Sequence, residues 1–249
     1  MTTLDSSLVF ATYNVHGCVG LDGIVDVARI ADVLADLDAD VIALQEVLAG
    51  REGVDGQLAE LAVRLGMDAV VGSTMQRGEC RYGNALLSRL PISDVRVIDL
   101  SVAGYEPRCL LHARVEFGGS HIDVFNTHLG LRVRERHAQI RACHRVLDDD
   151  PVLPQVMMGD FNAWLPRGDV LGPLRARFGA QPAPRSFPCR RPVFALDRIW
   201  TRPRAWLQEI HVGSHRHARV ASDHLPVWAR VETDLVADVD DDAVLPLAG

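Results

Sequence analysis

The feature that most constrains the fold is a short apolar run that ends in polar side chains, and the sequence contains this pattern four times. The instances are residues 8–13 before Asn14, 41–44 before Gln45 and Glu46, 122–125 before Asn126, Thr127 and His128, and 156–158 before Gly159, Asp160, Phe161 and Asn162. Short runs with β-branched residues are typical of strands that are buried on both faces. The pattern therefore predicts central strands with amide, carboxylate and imidazole groups at their carboxyl ends.

Two later segments show the reverse order. Asp197 precedes the apolar residues 199–200, and Asp223 and His224 precede the run 227–231. If these strands run antiparallel to the first set, their amino ends lie at the same edge of the sheet as the earlier carboxyl ends. We therefore expect all of these polar groups to converge at one edge.

Three segments have the apolar spacing of amphipathic helices. They are 24–37, with Asp22 as the expected N-cap, 58–65, ended by Gly66, and 133–147. Further strands are expected at 83–88, 93–100, 109–117 and 121–127, with Gly118-Gly119 as a hairpin turn. Strands in two clusters with helices between them predict layered α/β sheets with helices outside. The proline- and arginine-rich residues 179–195 are expected to form an ordered surface loop near Asp197.

Length and composition predict a single domain. Residues 8–232 of the 249 contain no linker or repeat, and the ends, 1–7 and 233–249, are predicted to be disordered. The five cysteines are odd in number and none has C-x-x-C spacing, which argues against a disulfide framework or a structural zinc site. There is no apolar run of the roughly 18 residues that a membrane span needs, and no signal peptide, so we expect a cytoplasmic protein.

The charge argues against a protein whose main task is to hold long nucleic acid. The net charge is −7, and all 26 basic residues are arginines. Nucleic-acid-binding proteins usually carry a positive balance or a basic stripe. Part of the acidity lies in residues 234–242, outside the predicted domain.

Each candidate residue, taken alone, also permits a structural role. Asp160 and Asn162 have the spacing of an Asx turn, whereas Asp197 is able either to orient a histidine or to pair with an arginine such as Arg198. A glutamate that ends an apolar strand, as Glu46 does, is costly unless it is paired, exposed or bound to a metal. The residues alone leave these alternatives open.

Seven short segments, in a fixed order, carry a resemblance to a known family. They are Thr12–Gly17, Leu44–Glu46, Gly83–Ser88, Asn126–Leu129, Gly159–Asn162, Leu196–Ile199 and Ser222–Pro226. In this combination the chain resembles the endonuclease/exonuclease/phosphatase superfamily, which includes DNase I, over residues 8–232. The resemblance implies a four-layer α/β sandwich of two packed mixed β-sheets flanked by helices.

The resemblance also implies roles for individual residues. It assigns Asn14, Glu46 and Asp223 to the metal, Asp160 and Asn162 to the attacking water, His128 and His224 to the phosphate, Asp197 to the orientation of His224, and Tyr82 and Asn84 to the cleft lining. Arg198 stands where many relatives have an aromatic residue, and with Arg108 it is a candidate for binding substrate phosphate. Oxygen ligands without thiolates favour Mg²⁺ or Mn²⁺ as the cofactor.

These roles imply a metal-dependent hydrolase of phosphomonoesters or phosphodiesters, expected to be a monomer. The acidic balance and compact length favour a small or lipid-linked substrate. The alternative is a DNA or RNA nuclease, supported by the resemblance and by arginines at 77–81, 108 and 185–191. Nucleic acid is therefore a possible partner, although the negative net charge does not favour it. A binding protein that lost catalysis is a third hypothesis, disfavoured because every expected polar position is filled.

Overall fold

Two β-sheets packed face to face form the centre of the molecule. The computed structural model describes residues 7–50, 56–148, 154–164 and 170–233. The strands are β1 (Ser7–Asn14), β2 (Val41–Ala49), β3 (Asp68–Arg77), β4 (Cys80–Ser88), β5 (Ile92–Asp99), β6 (Cys109–Phe117), β7 (Ser120–His128), β8 (Gln155–Asp160), β9 (Asp197–Arg202), β10 (Leu207–Val212) and β11 (Val227–Glu232). The helices are α1 (Val27–Ala35), α2 (Gly56–Leu65), α3 (Val133–Asp148), α4 (Gly172–Phe178) and α5 (Ala218–Ala221).

Both sheets are mixed. One has six strands in the order β10-β11-β1-β2-β4-β3, and the other has five in the order β5-β6-β7-β8-β9. In the first sheet β1 is parallel to β2, and in the second β7 is parallel to β8, whereas all other neighbouring strands are antiparallel. The two parallel pairs are the four strands that end in polar groups, so their carboxyl ends point the same way within each sheet.

Side chains that alternate along the strands build separate apolar layers. Phe10 and Met158 pack between the two sheets. On the outer face of the six-stranded sheet, Leu34 of α1 packs into a second core. On the outer face of the five-stranded sheet, Ile140 of α3 and Leu174 of α4 belong to a third. This helix–sheet–sheet–helix arrangement confirms the predicted four-layer α/β sandwich.

A buried polar network joins the two sheets close to the polar strand ends. Gln45 of β2 donates from Nε2 to Oδ1 of Asn126 in β7, at 2.8 Å. Asn126 in turn donates to the carbonyl oxygens of Leu44 and Ala85, at 2.8 and 2.7 Å. Buried polar groups in such a network are expensive to leave unpaired. The network therefore fixes how the two halves of the polar edge meet.

The helices at 58–65 and 133–147 are confirmed as α2 and α3, but the start of the first helix was predicted too early. The helix α1 begins at Val27, and its N-cap is Asp26, whose side chain accepts a hydrogen bond from the backbone N–H of Arg29 at 2.9 Å. Asp22 instead binds the Arg29 guanidinium. Gly23 has a φ of 75°, which breaks the helical path between the two aspartates.

The sequence pattern missed β3 and β10, and both are edge strands. The strand β3 has mostly exposed or half-buried residues, among them Ser73 and Thr74. An edge strand is partly solvated, so it lacks the continuous apolar run that identifies a central strand. The short helices α4 and α5 were also not predicted.

Ordered structure extends one residue beyond the predicted boundary at each end. Ser7 pairs with Glu232 of β11, and Thr233 is buried. The rest of the termini predicted to be disordered lies outside the described residues. Within the described ranges, no helix has the length and apolar character needed to cross a membrane.

Candidate active site

The polar strand ends meet at one edge of the sandwich, as predicted. Asn14 ends β1 and Glu46 lies near the end of β2 in one sheet, while His128 and Asp160 end β7 and β8 in the other. His128 is the cross-strand neighbour of Asp160, which in turn faces Asp197 at the start of the antiparallel strand β9. The site is therefore assembled from both sheets.

A cleft of about 230 Å³ opens at this edge. The predicted site residues that line it are Asn14, Glu46, Tyr82, Arg108, His128, Asp160, Asn162, Asp223 and His224. Five further residues line it without having been assigned to the site: Arg77, Glu106, Leu131, Trp164 and Phe187. The structure thus brings together most of the predicted residues and adds two charged and three apolar side chains to them.

A β-bulge places Glu46 in the cleft. The register of β2 against β4 shifts at this point, and Glu46 has a φ of 59°. The Tyr82 hydroxyl donates to Oε2 at 2.8 Å, and Asn14 donates to Oε1 at 3.1 Å. Burial raises the pKa of Glu46, but the hydrogen bonds from Asn14 and Tyr82 stabilise the carboxylate, so the pKa lies below its ordinary value. The carboxylate is held in its charged form.

Asn14 bridges two carboxylates that belong to different sheets. Its Oδ1 accepts from the backbone N–H of His16 at 3.1 Å, which directs the amide nitrogen towards the acids. That nitrogen donates to Glu46 Oε1 at 3.1 Å and to Asp160 Oδ2 at 3.2 Å. In this orientation Asn14 presents its amide N–H to both acids, so it links the two carboxylates across the sheets.

Asp160 is the most enclosed acid of the cleft, with 1% of its surface exposed. Burial, together with the nearby Asp197, raises its pKa to about 6, although the His224 charge and hydrogen bonds from Asn162 and Asn14 act in the opposite direction. The backbone N–H of Asn162 donates to Oδ1 at 2.9 Å, which is the Asx turn that the spacing also allowed. The turn leaves Oδ2 directed at both histidines.

His224 forms a buried dyad with Asp197. Its Nδ1 donates to Asp197 Oδ2 at 2.8 Å, and the same oxygen accepts from the Ser186 hydroxyl. Burial lowers the pKa of His224, but Asp197 and then Asp160 raise it, and the result is a pKa of about 10. His224 is therefore an imidazolium at neutral pH, with Nε2 at 3.7 Å from Asp160 Oδ2.

His128 has the opposite protonation state. Burial and the neighbouring Arg108 guanidinium lower its pKa to about 3, despite the opposing effect of Glu46. Arg108 donates from Nη1 to His128 Nδ1 at 3.0 Å, so Nδ1 is an acceptor and Nε2 carries the proton. Nε2 lies at 3.5 Å from Asp160 Oδ2. The same Arg108 nitrogen lies 3.3 Å from Glu106, so this arginine is held by protein groups at the edge of the cleft.

Two predicted substrate residues do not reach the cleft lining. Asn84 lies two residues deeper along β4 than Tyr82, is 2% exposed and donates to the backbone oxygen of Cys109. Arg198 follows Asp197 by one residue in β9, so its side chain points to the other face of the sheet. There its guanidinium lies 5.8 Å from the ring of Trp200. Neither side chain lines the cleft, because depth and face depend on the strand geometry.

The acids of the cleft are suited to a hard cation. Asp160, Asp197 and His224 have potential ligand atoms within 4.8 Å of one another, but the His224–Asp197 hydrogen bond already pairs two of them. Glu46 and Asp160, in contrast, converge on a single amide nitrogen, and two adjacent carboxylates are stabilised by a bound cation. Glu46 and Asp223 both face the cleft, and no thiol lines it among the described residues. Oxygen donors of this kind fit Mg²⁺ or Mn²⁺ better than zinc.

The unassigned residues of the cleft had weak signals in the sequence. Phe187 belongs to the proline- and arginine-rich loop that was expected near Asp197, and Trp164 follows the Asp160 segment. Leu131 follows the strand end at His128 in the same way. Nothing in their local pattern distinguishes these apolar residues from core residues, because only the folded chain places them at the cleft.

Comparison with known proteins agrees with this geometry. The sequence model described as "Endonuclease/Exonuclease/phosphatase family" matches residues 11–224. The "Uncharacterized protein YbhP" of Escherichia coli (strain K12) is 31% identical, with 92% of this chain and 98% of that protein covered.

Solved structures show the same fold. The endonuclease/exonuclease/phosphatase of Beutenbergia cavernae DSM 12333 is 25% identical with a TM-score of 0.72, over 91% of this chain and 72% of that one. The fold is also shared with TDP2 of D. rerio complexed with a single-strand DNA product, at 22% identity and a TM-score of 0.67, over 92% of this chain and 100% of that one. The family match spans most of the sequence, and the chain therefore belongs to the endonuclease/exonuclease/phosphatase family.

Proposed function

We propose that this protein is a divalent-metal-dependent hydrolase that cleaves a small or lipid-linked phosphomonoester or phosphodiester in the cleft. The observation that carries the proposal is the position of Asp160 between two histidines in opposite protonation states. His224, with a pKa of about 10, is cationic, whereas His128, with a pKa of about 3, is neutral. Groups with pKa values driven apart in this way are typical of sites that transfer protons and stabilise charge.

Asp160 is the proposed acceptor for a proton of the attacking water. A base works best when its pKa lies near the working pH, and burial raises that of Asp160 to about 6. The water oxygen forms the new bond to phosphorus, the bond to the leaving oxygen breaks, and one water proton passes to Asp160. Asn162 supports this role because its Nδ2 donates to the Leu129 carbonyl at 2.8 Å, which leaves its amide oxygen to orient the water.

The two histidines are proposed to hold the phosphate oxygens. The Nε2–H of the His224 imidazolium supplies a positive charge, and the Nε2–H of His128 supplies a neutral donor. Donors fixed in advance around developing charge are a large source of rate acceleration. Asp197 acts through His224, by keeping its proton on Nδ1 and its charge in place.

Glu46 and Asp223 are the residues proposed to hold the metal. When bound, Mg²⁺ or Mn²⁺ would neutralise charge on the phosphate and the leaving oxygen. The net charge of −7 favours a small substrate over a long polyanion. Because the D. rerio TDP2 structure is complexed with a single-strand DNA product, the test must distinguish a nuclease from a hydrolase of small phosphoesters.

The test is a substrate panel with purified protein. Mono-aryl and bis-aryl phosphates, plasmid DNA, an abasic oligonucleotide and phospholipids are each assayed with Mg²⁺, Mn²⁺ or EDTA. Glu46→Ala and His224→Ala are compared with Glu60→Ala, a matched change in an exposed glutamate that pairs with Arg64 outside the cleft. We expect turnover that needs the metal, is lost in the two site variants and is kept in the control.

The outcomes discriminate between the hypotheses. Activity that survives both EDTA and the substitutions overturns the proposal. A strong preference for DNA with a steep decrease of turnover as salt rises would establish a nuclease instead, since nucleic-acid binding requires several phosphate contacts. Binding of Mg²⁺ without hydrolysis of any phosphoester would indicate a non-catalytic protein.

A further inference from the structure

One wall of the cleft is apolar, in contrast to the charged groups around Asp160. It consists of Leu131, Trp164 and Phe187, which all line the same cleft as the acids and histidines. Leu131 lies before α3, Trp164 follows β8, and Phe187 belongs to the loop before β9. Three separate segments therefore contribute an apolar side chain to the lining of the cleft.

This apolar wall is held in place by defined contacts. The hydrogen bond from Asn162 Nδ2 to the Leu129 carbonyl, at 2.8 Å, ties together the two segments that carry Trp164 and Leu131. The Phe187 ring lies 4.8 Å from the His224 ring and 5.1 Å from the Trp164 ring. Trp164 also contacts Phe194, with ring centroids 5.4 Å apart. The aromatic rings thus form a continuous set of contacts that begins at His224.

The exposure of this wall differs from that of the polar side of the site. Leu131 is 61% exposed, and Trp164 and Phe187 are half-buried, whereas His128, Asp160 and His224 are at most 5% exposed. Apolar surface that faces water at the edge of a polar cleft is unfavourable until something covers it. A ligand whose phosphate lies against the histidines would place its neighbouring group on this surface.

We propose that the wall of Leu131, Trp164 and Phe187 binds an apolar substituent, aromatic or bulky aliphatic, carried by the phosphate group. This inference rests on the proposed function, which places the phosphate beside Asp160. The cleft volume of about 230 Å³ is below the roughly 300–1,000 Å³ of sites for drug-sized ligands. The site therefore accommodates one compact substituent next to the phosphate, and the wall determines specificity for it.

The test is a direct binding measurement, so that it does not depend on turnover. Isothermal titration in Mg²⁺ compares phenylphosphonate, cyclohexylphosphonate and methylphosphonate, which share the anionic group and differ in the substituent. Stacking or packing on an aromatic side chain is worth about 5- to 150-fold in affinity. We expect phenyl- and cyclohexylphosphonate to bind more tightly than methylphosphonate by a factor in this range.

Variants identify the surface responsible. Leu131→Ser changes an exposed side chain, so it should fold, and Trp164→Ala tests the ring itself. In both variants the preference for the larger phosphonates should decrease while methylphosphonate affinity is retained. Val63→Ser, at an exposed valine of α2 that is outside the cleft lining, should change neither affinity.

Three results would overturn the inference. The first is equal affinity of the wild-type protein for the three phosphonates, and the second is no binding of any of them. The third is a preference that persists in both Leu131→Ser and Trp164→Ala. If the preference and its loss are observed while no phosphoester is hydrolysed, the apolar site stands and the proposed catalytic function fails.

Discussion

Replacement of Asp197 by asparagine tests the charge pair on which the site depends. In the wild type His224 has a pKa of about 10 instead of the ordinary 6.5, and this difference corresponds to about 5 kcal/mol in favour of the imidazolium. Asp197 is the largest favourable contributor, and it also accepts the hydrogen bond from Nδ1 at 2.8 Å. In Asp197→Asn the charge is lost while the shape is kept, so burial should pull the pKa of His224 down by several units.

The expected effect on catalysis is a decrease in kcat. Loss of a fixed charge or of the correct tautomer at such a site costs about 10²- to 10⁴-fold in rate. The basic limb of the pH–rate profile should move to lower pH, because the weakened imidazolium loses its proton earlier. The contribution of His224 to stability is complete below pH 6.5 and is lost as pH rises towards about 10, so the stability gap to the variant should shrink over that range.

The assays are nuclear magnetic resonance titration of labelled histidine without metal and steady-state kinetics on an aryl phosphate with Mg²⁺. The matched control is Asp123→Asn, because Asp123 is also buried and accepts from His112 Nε2 at 2.8 Å, but lies outside the cleft lining. The control should lower the melting temperature and leave kcat unchanged. A folded Asp197→Asn protein with wild-type kcat, or with an unaltered His224 pKa, would refute the reasoning.

Three further predictions concern other residues of the site. Asp160→Asn should abolish activity yet raise the free energy of unfolding in EDTA at neutral pH, since burial raises the pKa of Asp160 and makes its ionisation unfavourable above that pKa; a destabilised variant in urea melts would contradict this. Mg²⁺ should raise the melting temperature of the wild type and of Glu60→Gln but not of Glu46→Gln, and an equal shift in all three would remove Glu46 from the metal site. Arg108→Met should lower kcat by about 10- to 100-fold with little change in KM, because this arginine holds His128. An effect on KM alone would instead indicate that Arg108 binds the substrate directly.

Much of the fold was predictable because central strands carry a strong local signal. The strands β1, β2, β7 and β8 bury both faces, so each is an apolar run that ends where the polar edge begins. The antiparallel direction of β9 and β11 followed from the position of Asp197 and Asp223 before their apolar runs. The edge strands β3 and β10 lacked such a signal, because a strand exposed at one side tolerates polar residues.

The sequence by itself determined the residue types of the site and their position at the strand ends, since both are encoded in short segments. It did not determine what each side chain contacts. Both Arg108 and Asn14 line the cleft, but the sequence did not show that Arg108 donates to His128 or that Asn14 donates to two acids.

Only the tertiary structure decided these contacts, the protonation states of the two histidines and the apolar wall of the cleft. All three depend on burial and on distances between residues far apart in the chain. His128 and His224 have the same intrinsic acidity, and they differ because one packs against a guanidinium and the other against two carboxylates.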